Sequence, residues 1–169
     1  VPAVSAVIKA FTRPGDGVAL MTPAYNCFFS SIRNNGCFAA ETALLMGNAG
    51  WTIDFAALEK TLADPRVKVF LFCSPHNPVG RVWTADEIRR TAQIAHQAGV
   101  LFVCDEIHGE FVFGGSRYLP AAQVEGVDPL RTVILTSPAK TFNLAGAGIA
   151  AIIAAGPKVR AKIDRAIND

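Results

Sequence analysis

The feature that most constrains this chain is a set of short, almost uninterrupted apolar runs. Each is about strand length, and segments long enough to hold helices separate most of them. Val18 to Thr22, Cys37 to Leu45, Val67 to Cys73, Val100 to Cys104 and Thr132 to Thr136 are such runs, and Gly148 to Ala155 reads as one more. A strand that is apolar on both faces must be covered on both faces, which is the habit of parallel sheets. Strands alternating with helices point to the same arrangement. The expected fold class is therefore α/β, a three-layer α/β/α domain around a mostly parallel sheet.

The intervening segments carry helix signals. Pro2 to Thr12 places Val4, Val7, Ile8 and Phe11 on one face, as an amphipathic helix does. Tyr25 to Asn35 reads as a helix closed by Gly36. A third helix is expected from about Phe55 to Ala63. Thr84-Ala85-Asp86-Glu87 has the form of a capping box and opens a helix to about Ala98, where Gly99 stops it. Pro157 stands at the favoured early position of the last helix. Asn48 to Trp51 reads as a loop, and Phe111 to Phe113 as a short extended piece. Gly114 to Asp128 reads as a loop with a possible helical turn.

Composition narrows the function classes. Of 169 residues, 51% are hydrophobic and 18% charged, with a formal net charge of +2. That charge gives no basis for a nucleic-acid or membrane partner, and no basic patch interleaves with aromatics. No apolar run reaches the roughly 18 residues that suggest a membrane span. The four cysteines, Cys27, Cys37, Cys73 and Cys104, form no C-x-x-C pair and are expected to be reduced, in a cytoplasmic protein. His76, His96 and His108 lack metal-ligand spacing, and no metal site is expected. His96 is expected on a helix surface. The chain begins without Met inside a helical pattern and ends inside another, so it reads as a piece of a longer protein.

Three strand ends carry polar residues: Pro75-His76-Asn77-Pro78 after the third run, Asp105-Glu106-Ile107-His108 after the fourth, and Ser137 with Lys140 after the fifth. In a parallel sheet these ends share one edge, where such folds bind ligands. Lys140 follows a buried strand in otherwise uncharged surroundings. A lysine desolvated there would have a lowered pKa and act as a nucleophile toward carbonyls. Taken alone, it is more simply a solvated loop lysine.

The segments T-P-A-Y (22–25), P-H-N-P-V-G-R-V-W (75–83), D-E-I-H (105–108) and S-P-A-K-T-F-N-L-A-G (137–146) resemble those of pyridoxal-phosphate enzymes of fold type I. They are most similar to the cystathionine β-lyase branch (MalY/PatB type) of the class I/II aminotransferase superfamily. The resemblance runs over essentially the whole chain. It implies that residues 1–169 are part of a large cofactor-binding domain truncated at both ends, without the N-terminal arm and the C-terminal small domain.

Each residue then has an implied role beside a plainer reading. Lys140 would hold pyridoxal 5'-phosphate. Asp105 would pair with the ring nitrogen, although it could equally cap a helix over Glu106 to Glu110. Asn77 would donate to the ring hydroxyl oxygen, although Asn-Pro alone is usually a turn. Tyr25 would stack on the ring, although in isolation it reads as a core aromatic at a helix start. His108 takes the place where many aminotransferases have a tyrosine, and Ser137 would contact the phosphate. His76 reads as architectural.

Many family members carry a phosphate-binding arginine eight residues after the lysine. Here that position is Gly148, as is frequent in the lyase branch. The resemblance thus implies β-elimination on cystathionine or a cysteine S-conjugate, giving thiol, pyruvate and ammonia, with Lys140 as general base. Alternatives are an aminotransferase acting on an amino acid, or a truncated, non-catalytic regulatory protein. Sites of this kind are completed across a dimer, so a homodimer is implied.

Overall fold

The computed structural model describes residues 1–48 and 50–168. Among these, six strands form one sheet: β1 (Gly17–Thr22), β2 (Phe38–Ala43), β5 (Val67–Cys73), β6 (Leu101–Asp105), β7 (Thr132–Thr136) and β8 (Ala151–Ala154). Their spatial order is β2-β1-β5-β6-β7-β8. All neighbours are parallel except β8, which runs antiparallel to β7 at the edge. Strands β3 (Leu45–Gly47) and β4 (Gly50–Thr52) form a separate antiparallel hairpin.

Successive side chains of a strand point to opposite faces, so each central strand feeds two cores. On one face Phe70, Phe72, Phe102 and Ile134 pack beneath α3 (Phe55–Leu62) and α4 (Ala85–Gln97). On the other, Val69, Leu71, Val103, Val133 and Leu135 pack beneath α1 (Pro2–Phe11), α2 (Asn26–Asn34) and α6 (Pro157–Asn168). The three-layer α/β/α expectation holds. The capping box is also as read: Glu87 N donates to Thr84 Oγ1 at 3.2 Å, and Thr84 N donates to Glu87 Oε2 at 2.8 Å.

The chain runs from β1 outward to β2, then crosses to β5 on the other side of β1. This reversal opens a crevice at the carboxyl ends of β1 and β5, the usual ligand position in such sheets. Register sets the depth of that crevice, with Cys73 level with Asp105 and Asp105 level with Leu135.

Five local expectations change. The run Gly148 to Ala155 is a strand only over Ala151–Ala154, because Gly148 is the left-handed end of a 3-10 turn. The run Cys37 to Leu45 is not one strand. It pairs only to Ala43, because its partner β1 ends at Thr22. Leu44 turns inward, and Leu45 starts the hairpin. Gly50 and Trp51, expected in a loop, belong to β4, where Trp51 pairs with Met46. Asn48 is a turn residue, and Ala49 lies outside the described residues. Among the described residues no strand pairs with Phe111 to Phe113, and Phe113 is exposed. His96 is half-buried rather than on the surface, edge-on to Phe102 at 6.3 Å. The possible helical turn in the 114–128 loop is a single 3-10 turn over Ala121–Gln123.

Candidate active site

The carboxyl edge of the sheet carries a cleft of about 290 Å³. Tyr25, Asn77, Asp105, His108, Ser137 and Lys140 all line it, so the structure brings the six candidates together. Tyr25 comes from the loop after β1, Asn77 from the loop after β5, Asp105 from the last position of β6, and Ser137 and Lys140 from the segment after β7. His108 sits on the turn that follows β6.

Asp105 is the floor of the site. Residues 107–110 form turns and not a helix, so Asp105 is not a helix cap. Its Oδ1 accepts from Ile107 N at 3.2 Å. Among the described residues no donor reaches its other oxygen, and no cation pairs with it. Burial pushes its pKa up, partly offset by the Ile107 amide. A poorly solvated carboxylate with a spare acceptor facing a cleft calls for a cationic or N–H partner from outside the chain.

Lys140 lies in the short helix α5 (Pro138–Thr141) and is exposed. The expected desolvated lysine is therefore not what this chain presents. Residues 140–150 are all exposed, with Phe142 at 68% and Ile149 at 57%, so no part of the described chain covers the lysine. Its charge reaches His108 across the cleft. Burial, and then that charge, push the His108 pKa below the ordinary histidine value. His108 is thereby held neutral, with a lone pair and a proton available.

Ser137 caps α5, accepting from Ala139 N at 3.0 Å, and its hydroxyl donates to Ile149 O at 2.5 Å. A phosphate at this position would compete with that donated bond. Tyr25 stands at the start of α2, edge-on to Phe28 at 6.0 Å, with its ring at the cleft. Its hydroxyl is pushed up, first by the Cys27 thiol beside it and then by burial. His76 lies off the cleft. It is buried, makes a 3.0 Å hydrogen bond from Nε2 to Pro23 O, and so ties the Tyr25 loop to the Asn77 loop. That is the architectural part expected of it.

Sequence reading missed several participants. Cys27 and Cys73 both line the cleft. Burial, with Asp105 adding to it, raises Cys73 to about 12, so it remains a thiol. Trp83 is fully buried under the Asn77 loop, and its indole N–H donates to Cys73 O at 2.9 Å. Glu106, 4% exposed, accepts from Ala121 N at 2.7 Å and from the Tyr118 hydroxyl. A glutamate directly after a buried strand was the one available signal for it. Its partners lie in a loop without periodicity.

With this geometry in hand, the comparisons with known proteins agree. The family described as aminotransferase class I and II matches residues 2–168. The chain belongs to that family. Cystathionine β-lyase PatB of Bacillus subtilis (strain 168) is 35% identical over 168 residues, covering 99% of this chain and 43% of the relative. Protein MalY of Escherichia coli (strain K12) is 38% identical over 141 residues, covering 83% of this chain and 35% of MalY. The structure of cystalysin from Treponema denticola, which contains a pyridoxal 5'-phosphate cofactor, superposes with a TM-score of 0.94 at 38% identity. It covers 99% of this chain and 42% of cystalysin. N-Succinyldiaminopimelate aminotransferase from Mycobacterium tuberculosis superposes at 0.89 with 30% identity, over 97% of this chain and 42% of the other. The chain thus spans about two fifths of the length of these proteins. None of its described helices is long and apolar enough to cross a membrane.

Proposed function

We propose that the protein is a pyridoxal-phosphate-dependent carbon–sulfur lyase, converting cystathionine or a related cysteine S-conjugate to thiol, pyruvate and ammonia. The observation that carries this reading is Asp105: a half-buried carboxylate with one oxygen unpartnered among the described residues, in the same cleft as Lys140. A protonated pyridine nitrogen fits that acceptor, and an aldehyde fits the amine. Bound there, pyridoxal phosphate supplies an electron sink for negative charge at the substrate α-carbon.

The remaining roles belong to the chain. Lys140 Nζ would hold the cofactor and would serve as the base that takes the proton from the substrate α-carbon. Asp105 keeps a proton on the ring nitrogen. Asn77 and neutral His108 hold the ring hydroxyl oxygen. Tyr25 stacks on the ring face, and Ser137 sits at the phosphate end. Supply of the other phosphate contacts and of the substrate-carboxylate partner belongs to the rest of the protein. The exposed apolar stretch around Phe142, Leu144 and Ile149 flanks the cleft and suits a homodimer that closes over Lys140. Four free thiols suit a reducing, cytoplasmic setting.

The test is the visible spectrum of the protein with pyridoxal phosphate, before and after borohydride, followed by peptide mapping. The cofactor should become fixed to Lys140, and Lys140→Ala should lose both the absorbance and pyruvate release. Turnover retained in Lys140→Ala would sink the proposal. A second reading, an aminotransferase, is supported by the similarity to the M. tuberculosis enzyme. Amino transfer to a keto acid without pyruvate release would favour it.

A further inference from the structure

The turn that carries His108 is held from behind by groups that never reach the cleft. It is closed by Gly109 N donating to Glu106 O at 3.0 Å, and Phe111 N donates to His108 O at 2.9 Å. Glu106 N donates to Leu135 O at 2.8 Å, fastening the turn to the strand that leads to Lys140. The Glu106 side chain points away, into the core. A carboxylate so buried is costly unless its oxygens are satisfied. Here Ala121 N and the Tyr118 hydroxyl do so. Burial still leaves its pKa raised.

This clamp fixes where the Tyr118 ring stands, and the ring stands on Gly109. A Cβ at Gly109 would lie 2.8 Å from Tyr118 Cε1 and 2.9 Å from Cζ. Only a hydrogen fits, and residue 109 directly follows His108. Gly109 does not have a positive φ, so its smallness answers to the ring and not to backbone conformation.

We propose that Tyr118 is a positioning residue: anchored by Glu106, its ring seats against Gly109 and fixes the turn that presents His108 to the cleft opposite Lys140. Tyr118 touches neither cofactor nor substrate and acts through His108. The value of this for catalysis rests on the role of His108 proposed above, whereas the positioning itself does not.

The test reads His108 directly, by NMR titration of its imidazole in the cofactor-free, full-length protein. Lys140 and Asp105 share the cleft with His108, and Glu106 and Glu110 share its turn; of these only Glu106 loses a contact when the Tyr118 hydroxyl is removed, and Gly109→Ala keeps that hydroxyl. A shift in Gly109→Ala, or a shift larger in Tyr118→Leu than in Tyr118→Phe, therefore reports a moved or uncovered ring. Tyr118→Leu and Gly109→Ala should raise the His108 pKa toward the ordinary value of about 6.5. Tyr118→Phe, which keeps the ring and loses only the hydroxyl, should raise it less. Leu62→Val, a buried change at the end of α3, should lower the melting temperature and leave His108 unmoved. A wild-type His108 titration in both Tyr118→Leu and Gly109→Ala would overturn the proposal. Pyridoxal-phosphate affinity measured on the same variants separates the two ideas. It should weaken about tenfold where His108 moves. Unchanged affinity with a shifted titration would refute His108 as a cofactor contact and leave Tyr118 as its positioner.

Discussion

Trp83→Phe probes the support beneath the Asn77 loop. The indole is 1% exposed, and its N–H is a donor to Cys73 O at 2.9 Å. Phenylalanine has no donor, and leaving a buried carbonyl without this partner costs about 1–3 kcal/mol. Three ring atoms also vanish, opening roughly 40 Å³, worth about 1 kcal/mol at about 24 cal/mol per Å³. Phe72 at 6.0 Å and His76 at 5.7 Å keep an aromatic neighbour, so their share is largely retained. The sum is about 2–4 kcal/mol. Urea unfolding, with a slope of about 2 kcal/mol per M, should show the midpoint fall by about 1–2 M. A fall below about 0.3 M would refute the reasoning, because it would mean the Cys73 carbonyl finds another donor and the void closes.

Two further outcomes are expected. His76 is buried, its Nδ1 is unpartnered among the described residues, and burial lowers its pKa. Neither state holds a proton on it well above pH 6.5. As pH falls below that, the unfolded chain gains a proton the fold refuses, so stability is lost on acidification. His76→Gln should lose less stability than wild type between pH 8 and pH 5, by up to about 2 kcal/mol, in paired thermal melts. The raised carboxyls Asp105 and Glu106 act in the opposite sense but are common to both proteins; equal losses would count against the buried-histidine reading. Thr84→Ala removes the oxygen that accepts from Glu87 N and should cost about 1 kcal/mol, seen as a melting temperature lower by about 2–4 °C.

Much of the scaffold was legible because it is written in short-range patterns. Apolar runs gave β5, β6 and β7 within a residue, and Thr84 with Glu87 gave the start of α4. The failures share a cause. Whether Ala43 continues to Leu45 depends on where β1 ends, and whether Phe111 pairs depends on a neighbour strand. Neither is visible locally. Within the site, residues directly after strands were findable, because the edge of a parallel sheet gathers them. The exposure of Lys140 was not, since burial is a property of what covers a residue. Nor was Tyr118, whose partner Glu106 is twelve residues away through a patternless loop.

The register that sets Cys73, Asp105 and Leu135 abreast means the site has no local existence. Tyr25, Asn77, Asp105 and Lys140 become neighbours only when distant strands pair, so no excised loop or single strand–helix unit retains a fraction of it. Such long-range closure is slow, and the cleft should be among the last features to form during folding. The same dependence makes it brittle in one direction and tolerant in the other. Lengthening a crossover helix on either face leaves the edge intact. A slip of one residue in β6 would turn Asp105 to the opposite face and remove the floor of the cleft.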